Sequence, residues 1–252
     1  MLRLKSAARS DVGMIRSGNE DSFETKENAD RTFGIYVVAD GMGGHAAGEV
    51  ASLMAVQAVI TELGDLSAID DGGKAGTKLA DSLRTANRNI HDRMLAEADK
   101  QGMGTTASVL VLDQKRYLIG QVGDSRVYLL RDGSLQQITK DHSYVQEQVD
   151  AGFLTPEQAK YHPYSNVITR CVGASESVEP DVYRGDIKAG DIFLVASDGL
   201  TGMVDDRRIH ALLMSRAEPE RKVHSLISEA NGRGGLDNIT AVVVHVIEEA
   251  TS

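Results

Sequence analysis

The sequence predicts an α+β fold, a β-sandwich of two antiparallel sheets flanked by helices on both sides (α-β-β-α). Three observations predict it. Strand-like segments cluster in the middle of the chain, and helical segments come in pairs rather than alternating singly with strands. Several strands are short unbroken apolar runs, which marks them as buried. Two helical pairs covering two stacked sheets would bury all of these surfaces.

Residues 34–39 (GIYVVA) are apolar and β-branched and read as a buried strand ending at Asp40-Gly41. A helix follows over about 48–63, with Val56, Val59, Ile60 and Leu63 on one face. A second spans about 78–98, aligning Leu79, Leu83, Ala86, Ile90 and Met94. Residues 107–112, 116–122 and 126–131 are strands separated by Asp113-Gln114, Gly123-Asp124 and Asp132-Gly133, a pattern that predicts an antiparallel meander. Residues 142–162 look helical and polar, with Thr155-Pro156 as an N-cap and first-turn pair. Residues 191–197 (DIFLVAS) form another buried strand, again followed by Asp-Gly, at Asp198-Gly199. Short helices near 206–214 and 218–230 and a closing strand over 239–247, preceded by Asp237-Asn238, complete the chain.

At 252 residues, with 41% hydrophobic and 25% charged, the chain can build a core without staples. No repeat, low-complexity stretch or linker divides it, so residues 1–252 read as a single domain. One cysteine, Cys171, excludes an internal disulfide and fits a reducing compartment. The N-terminus lacks the apolar core of a signal peptide, and no apolar run approaches the ~18 residues of a membrane span, so a cytoplasmic location is expected. A net charge of −10 without a Lys/Arg stripe argues against nucleic acid as a partner.

Acidic residues stand at the ends of apolar runs: Asp40 and Asp198 after strands, Asp237 before one, Asp124 between two. Glu20-Asp21 lies near the N-terminus. Taken singly each has a plain alternative. Asp-Gly is a common turn dipeptide, Asp124 suits a turn, and Arg16 and His45 suit a solvated surface. The glycine-rich 41–45 loop lacks the Gly-Lys-Ser/Thr ending of a phosphate-binding P-loop. Together, strand-end carboxylates from distant parts of the sequence can converge. Such an oxygen-only set suits the hard cations Mg²⁺ or Mn²⁺, which would relieve the repulsion between the acids.

Six motifs stand in order: residues 16–21 (RSGNED), 38–49 (VADGMGGHAAGE), 104–107 (GTTA), 120–126 (GQVGDSR), 196–200 (ASDGL) and 237–240 (DNIT). Together they resemble the PPM family, the metal-dependent Ser/Thr protein phosphatases of type 2C, in its compact bacterial form, over about residues 7–247. The resemblance implies the same helix-flanked sandwich. It implies that Asp40 bridges two core ions, Mn²⁺ or Mg²⁺. The Gly41 carbonyl and water would complete one site, and Asp198 and Asp237 would hold the other. Glu20 and Asp21 would act through metal-held waters or from behind the ligands. Asp124, with Asp198, would hold a third, weaker ion, Arg16 would grip the substrate phosphate, and residues 142–173 would form a flap beside the site. The implied partners are phosphoprotein substrates, in particular a bacterial Ser/Thr kinase and its targets, and the implied state is a monomer. Eukaryotic relatives carry a histidine directly after the Asp-Gly as a proposed general acid. Here that position is Met42; His45, three residues on, is one candidate acid, and a metal-bound water or another acid is the alternative.

Water activated between two divalent ions attacks phosphorus directly in this reading, without a phosphoenzyme. Cys171 lies in no Cys-x₅-Arg loop, which excludes the cysteine route, and Asp40 is followed by Gly-Met rather than x-Asp, which makes the haloacid-dehalogenase type of aspartyl-phosphate route a poor fit. Two readings of another class are a catalytically dead phosphoprotein-binding domain and a calcium-stabilised structural protein. The first should have lost a metal aspartate, whereas Asp40, Asp198 and Asp237 are all present; the second would lack the Arg16 motif.

Overall fold

The computed structural model describes residues 1–43 and 46–249. Along the chain the strands are β1 (Leu2–Asp11), β2 (Asp21–Glu27), β3 (Gly34–Met42), β4 (Gly104–Thr105), β5 (Ala107–Leu112), β6 (Arg116–Val122), β7 (Arg126–Arg131), β8 (Ser134–Gln137), β9 (Asp181–Asp186), β10 (Ile192–Ala196) and β11 (Ile239–Glu248). The helices are α1 (Ala46–Glu62), α2 (Lys74–Ala96), α3 (Tyr144–Asp150), α4 (Pro156–Lys160), α5 (Asp198–Thr201), α6 (Asp206–Leu213) and α7 (Pro219–Gly232). One sheet runs β1-β11-β10-β7-β8; the other runs β2-β3-β5-β6-β9, with β4 paired to the end of β3.

The two-residue period of a strand sorts the core into layers. Ile35, Val37 and Ala39 of β3 and Val109 and Val111 of β5 face α1 and α2, meeting Val59, Leu63, Leu79 and Leu83. Their alternates Tyr36, Val38, Leu110 and Leu112 face the opposite sheet, meeting Val127, Phe193, Val195, Val242 and Val244. On the far side Leu194, Ala196, Ala241 and Val243 face α5, α6 and α7 through Leu200, Ile209, Leu226 and Ile227. Burial on both faces is why these strands read as unbroken apolar runs.

The predicted meander is corrected. β5 and β6 are a hairpin, but β7 does not pair with β6; it pairs with β10 and β8 in the other sheet. The chain crosses between sheets at Gly123-Asp124-Ser125, where Gly123 takes φ +100. Asp132 and Gly133, both at positive φ, make the two-residue turn of the β7–β8 hairpin. The predicted helix over 142–162 is two short ones: Gly152, at φ +76, follows α3, and Thr155-Pro156 opens α4 with a capping box. β3 does not stop before Asp40 but continues through it to Met42, paired with β4. Apart from the two-residue β4, the unpredicted strands β1, β2, β8 and β9 are all sheet edges, where one side faces solvent and polar residues interrupt the apolar pattern.

Phe193 is fully buried between the sheets and meets Tyr117 edge-on at 5.5 Å. Phe193→Ala is expected to cost about 3–5 kcal/mol, read as a fall in the denaturant midpoint at unchanged slope. A loss under about 1 kcal/mol would contradict this packing.

Candidate functional site

At one end of the sandwich the register of β2 on β3 sets Asp21 directly opposite Asp40. Like charges in that relation destabilise a sheet. From the other sheet, Asp198 opens α5 just after β10, and Asp237 precedes the neighbouring β11. Asp124 stands in the crossover between β6 and β7. Asp40 and Asp198 approach closely enough to share a hydrogen bond.

Backbone contact, rather than turn chemistry, explains the Asp-Gly pairs. Neither Gly41 nor Gly199 is among the glycines at positive φ. A methyl on Gly41 would overlap the Gly48 carbonyl in the first turns of α1, and one on Gly199 would overlap the Asn238 carbonyl. Glycine is required so that main chains from separate elements can touch, which draws the attached aspartates together.

Hydroxyls and amides fix the rest. The Asp40 N–H donates to Thr106 Oγ1 at 2.9 Å, and the Asp40 carbonyl accepts from Thr105 Oγ1 and the Thr106 N–H, both at 2.9 Å. Thr106 Oγ1 in turn meets Ser125 Oγ at 2.7 Å. Gln121 Nε2 donates to the Gly123 and Ser125 carbonyls at 3.0 and 2.7 Å, and Ser108 Oγ to the Ser125 carbonyl at 3.0 Å. The buried His142 accepts from the Gly123 N–H through Nδ1 at 3.1 Å and donates its own N–H to the Gly123 carbonyl at 2.9 Å. The crossover carrying Asp124 is therefore clamped on both sides.

The acids oppose one another's ionisation. Burial, then the charges of Asp21, Asp198 and Asp124, hold Asp40 well above the usual carboxylate range. Burial pushes Asp124 up to about 8, with Asp198 and Asp141 adding to it. Burial also pushes Asp21 up to about 7; hydrogen bonds from Thr240 and Ser197 work against this, and the charges of Asp198 and Asp237 work with it. Asp198 is raised by burial, opposed by its hydrogen bond with Asp40 and reinforced by the charge of Asp237. Asp21 Oδ2 accepts from Ser197 at 2.8 Å and Thr240 at 2.6 Å, but Asp21 Oδ1 and Asp124 Oδ1 are buried and accept no hydrogen bond from the protein. Buried carboxylate oxygens without donors, in a cluster of like charge, fit a cation. Among the described residues no group of three or more acidic, histidine or cysteine side chains is already arranged to hold a metal ion.

Arg16 lies at the rim, half-exposed, and donates to Asp237 Oδ2 at 2.7 Å. Glu20 anchors the approach through its main chain: its N–H donates to Asn238 Oδ1 at 2.8 Å and its carbonyl accepts from Ser52 Oγ at 2.6 Å. Met42 ends β3, and its apolar side chain holds no proton for transfer. His45 falls outside the described residues. Sequence reasoning missed Asn238, whose Nδ2 also donates to the Val12 and Gly18 carbonyls at 2.9 Å, and missed Thr106, Ser197, Thr240 and His142. All but His142 lie inside the recognised motifs, so motif membership was the signal available for them.

Comparison with known proteins agrees with this architecture. The family model described as protein phosphatase 2C matches residues 15–230. The serine/threonine protein phosphatase PstP of Mycobacterium tuberculosis is 42% identical over 247 residues; the match covers 98% of this chain and 46% of PstP, so the chain spans about half the length of that relative. The protein phosphatase PhpP of Streptococcus pneumoniae is 40% identical over 243 residues, covering 95% of this chain and 96% of PhpP. The crystal structure of the PstP catalytic domain in complex with two manganese ions superposes with a TM-score of 0.86 at 40% identity, covering 98% of this chain and 100% of that one. A fold, a carboxylate-lined end and a family match that coincide in one chain place it in the protein phosphatase 2C family.

Proposed function

We propose that this chain hydrolyses phosphoserine and phosphothreonine monoesters in proteins. The observation that carries the proposal is the set of four clustered, mutually repelling aspartates, Asp21 and Asp124 buried and Asp40 and Asp198 half-buried, with Arg16 and Asp237 at its rim. In this reading Asp40 serves both core ions, the Gly41 carbonyl contributes to one, and Asp198 and Asp237 hold the other. Asp124 with Asp198 holds a third, and Glu20 and Asp21 act through water. Manganese is supported by the two manganese ions of the PstP catalytic domain; magnesium and the third ion are part of the proposal. When bound, such ions lower the pKa of the water they hold and neutralise phosphate charge.

The chain's own residues supply position. The guanidinium of Arg16 presents a planar fork that fits two phosphate oxygens. Its pair with Asp237 is exposed, and such pairs contribute little net stability, so an incoming phosphate dianion can take the guanidinium over. Thr105, Thr106, Ser125 and His142 keep Asp40 and Asp124 from swinging apart. Residues 142–173, which carry α3 and α4, are proposed as a flap beside this end. A Ser/Thr kinase and its targets are the proposed source of substrates, with a monomer in the cytoplasm as the setting. No helix among the described residues is long and apolar enough to cross a membrane.

The direct test is release of phosphate from a phosphothreonine peptide by metal-stripped protein. Turnover should be absent in chelator and return with Mn²⁺; full turnover in chelator, or a restored activity confined to phosphotyrosine, would contradict the proposal.

Asp124→Ala separates a ligand from a turn residue. It should abolish one weak Mn²⁺ site in calorimetry, keep the tight ones, and lower kcat at saturating Mn²⁺ by about tenfold or more, roughly 1.4 kcal/mol. The metal-free variant should melt no lower than wild type, because a buried acid with one oxygen that no group donates to has been removed. Wild-type kcat in the folded variant would contradict the assignment.

A further inference from the structure

Two loops meet beside Arg16 and are bonded into one platform. The Met14 N–H donates to the Gly235 carbonyl at 2.8 Å, and Asn231 Nδ2 donates to Asp11 Oδ1 at 3.1 Å. Asn238 holds the Val12 and Gly18 carbonyls, and Arg16 holds Asp237. Gly13, at φ +81, comes so close to the Asp237 carbonyl that a methyl there would overlap it. A methyl on Gly235 would stand 2.9 Å from Met14 Cγ, so the Met14 side chain lies across the second loop.

On this platform Met14, Ile15 and Leu236 are 65%, 67% and 56% exposed. Single exposed apolar residues are common on protein surfaces. These three sit on loops already fastened together, next in chain to Arg16 on one side and Asp237 on the other. None of them belongs to the three apolar clusters of the core. Three exposed apolar side chains that the core does not use, on joined loops at the rim of a reaction site, point to a ligand that covers them.

We propose that Met14, Ile15 and Leu236 dock an apolar residue flanking the phosphoserine or phosphothreonine of a protein substrate. The proposal rests on the phosphatase reading above and adds to it a sequence preference. An extended peptide advances about 3.3 Å per residue, so a peptide whose phosphate reaches Arg16 lays its next one or two residues over the side chains beside Arg16. The net charge of −10 recommends a basic flank instead, through long-range attraction. That attraction is screened by salt, whereas apolar contact is not.

The test uses three phosphothreonine peptides that differ only in the residues flanking the phosphothreonine, which are Leu/Val, Ser or Lys, together with a small aryl phosphate, all with Mn²⁺. Wild type should favour the apolar peptide over the serine peptide by about tenfold in kcat/KM, chiefly through KM, and should do so equally at ~0.5 M salt. The combined variant Met14→Ser, Ile15→Ser, Leu236→Ser should bring the two peptides level. Its aryl phosphate turnover should stay within about twofold, with Tm unchanged. No apolar preference in wild type, a preference for the lysine peptide that fades with salt, or a preference that survives in the variant would overturn the proposal. Failure to turn over any peptide or the aryl phosphate would instead overturn the phosphatase reading on which it stands.

Discussion

The structure is organised around a repulsion. Asp21 and Asp40 face each other across paired strands, and Asp124 and Asp198 close in from the crossover and from the other sheet. Burial raises the proton affinity of all four, and the charges of Asp21, Asp198 and Asp124 raise that of Asp40 further. A fold selected for stability alone would separate these groups or exchange them for neutral ones. This one draws them together with glycine contacts at Gly41 and Gly199 and with hydroxyl bonds from Thr105, Thr106, Ser197 and Thr240. Strain held in place by so many separate contacts points to function, and in the proposed reading divalent cations would relieve it.

The sandwich makes the convergence possible. Two antiparallel sheets, each buried on both faces, form a stiff frame with apolar layers on either side of each sheet. Only the strand ends are free to carry polar groups without disturbing those layers. β3 brings Asp40 from one sheet, β10 and β11 bring Asp198 and Asp237 from the other, and the sheet-switching loop at Gly123 carries Asp124 between them. The N-terminal loop with Arg16 is then bound to the Asp237 loop through Asn238, so Arg16 and the acids share one scaffold.

Much of this was legible in the sequence, for a physical reason. Strands buried on both faces leave unbroken apolar runs, and residues 107–112, 116–122 and 126–131 were bounded correctly from those runs. Aspartates at the ends of such runs have few places to go but one pole of the sheets. Edge strands were not legible, because solvent on one side lets charged residues into β1, β2 and β9. Pairing was not legible either. A Gly-Asp between two strands reads as a hairpin turn, and only the register of β7 on β10 shows that the chain changes sheets there. The same ambiguity covered Gly41 and Gly199, whose missing side chains make room for another main chain, a fact that dipeptide statistics do not hold.

If carboxylate repulsion is the cost that the bound ions remove, neutralising the central acid should stabilise the metal-free protein. The folded-state pKa of these acids is raised, so folding holds protons that the unfolded chain releases, and metal-free stability should fall as pH rises from about 4, the unfolded carboxylate value, through about 7 to 8, where Asp21 and Asp124 titrate. Thermal melts of metal-free wild type and Asp40→Asn from pH 5 to pH 8 measure this directly. The account predicts that Asp40→Asn melts higher than wild type, with the gap widening toward pH 8, and that Mn²⁺ raises the wild-type Tm far more than that of the variant. A metal-free Asp40→Asn that melts at or below wild type across this range would contradict it.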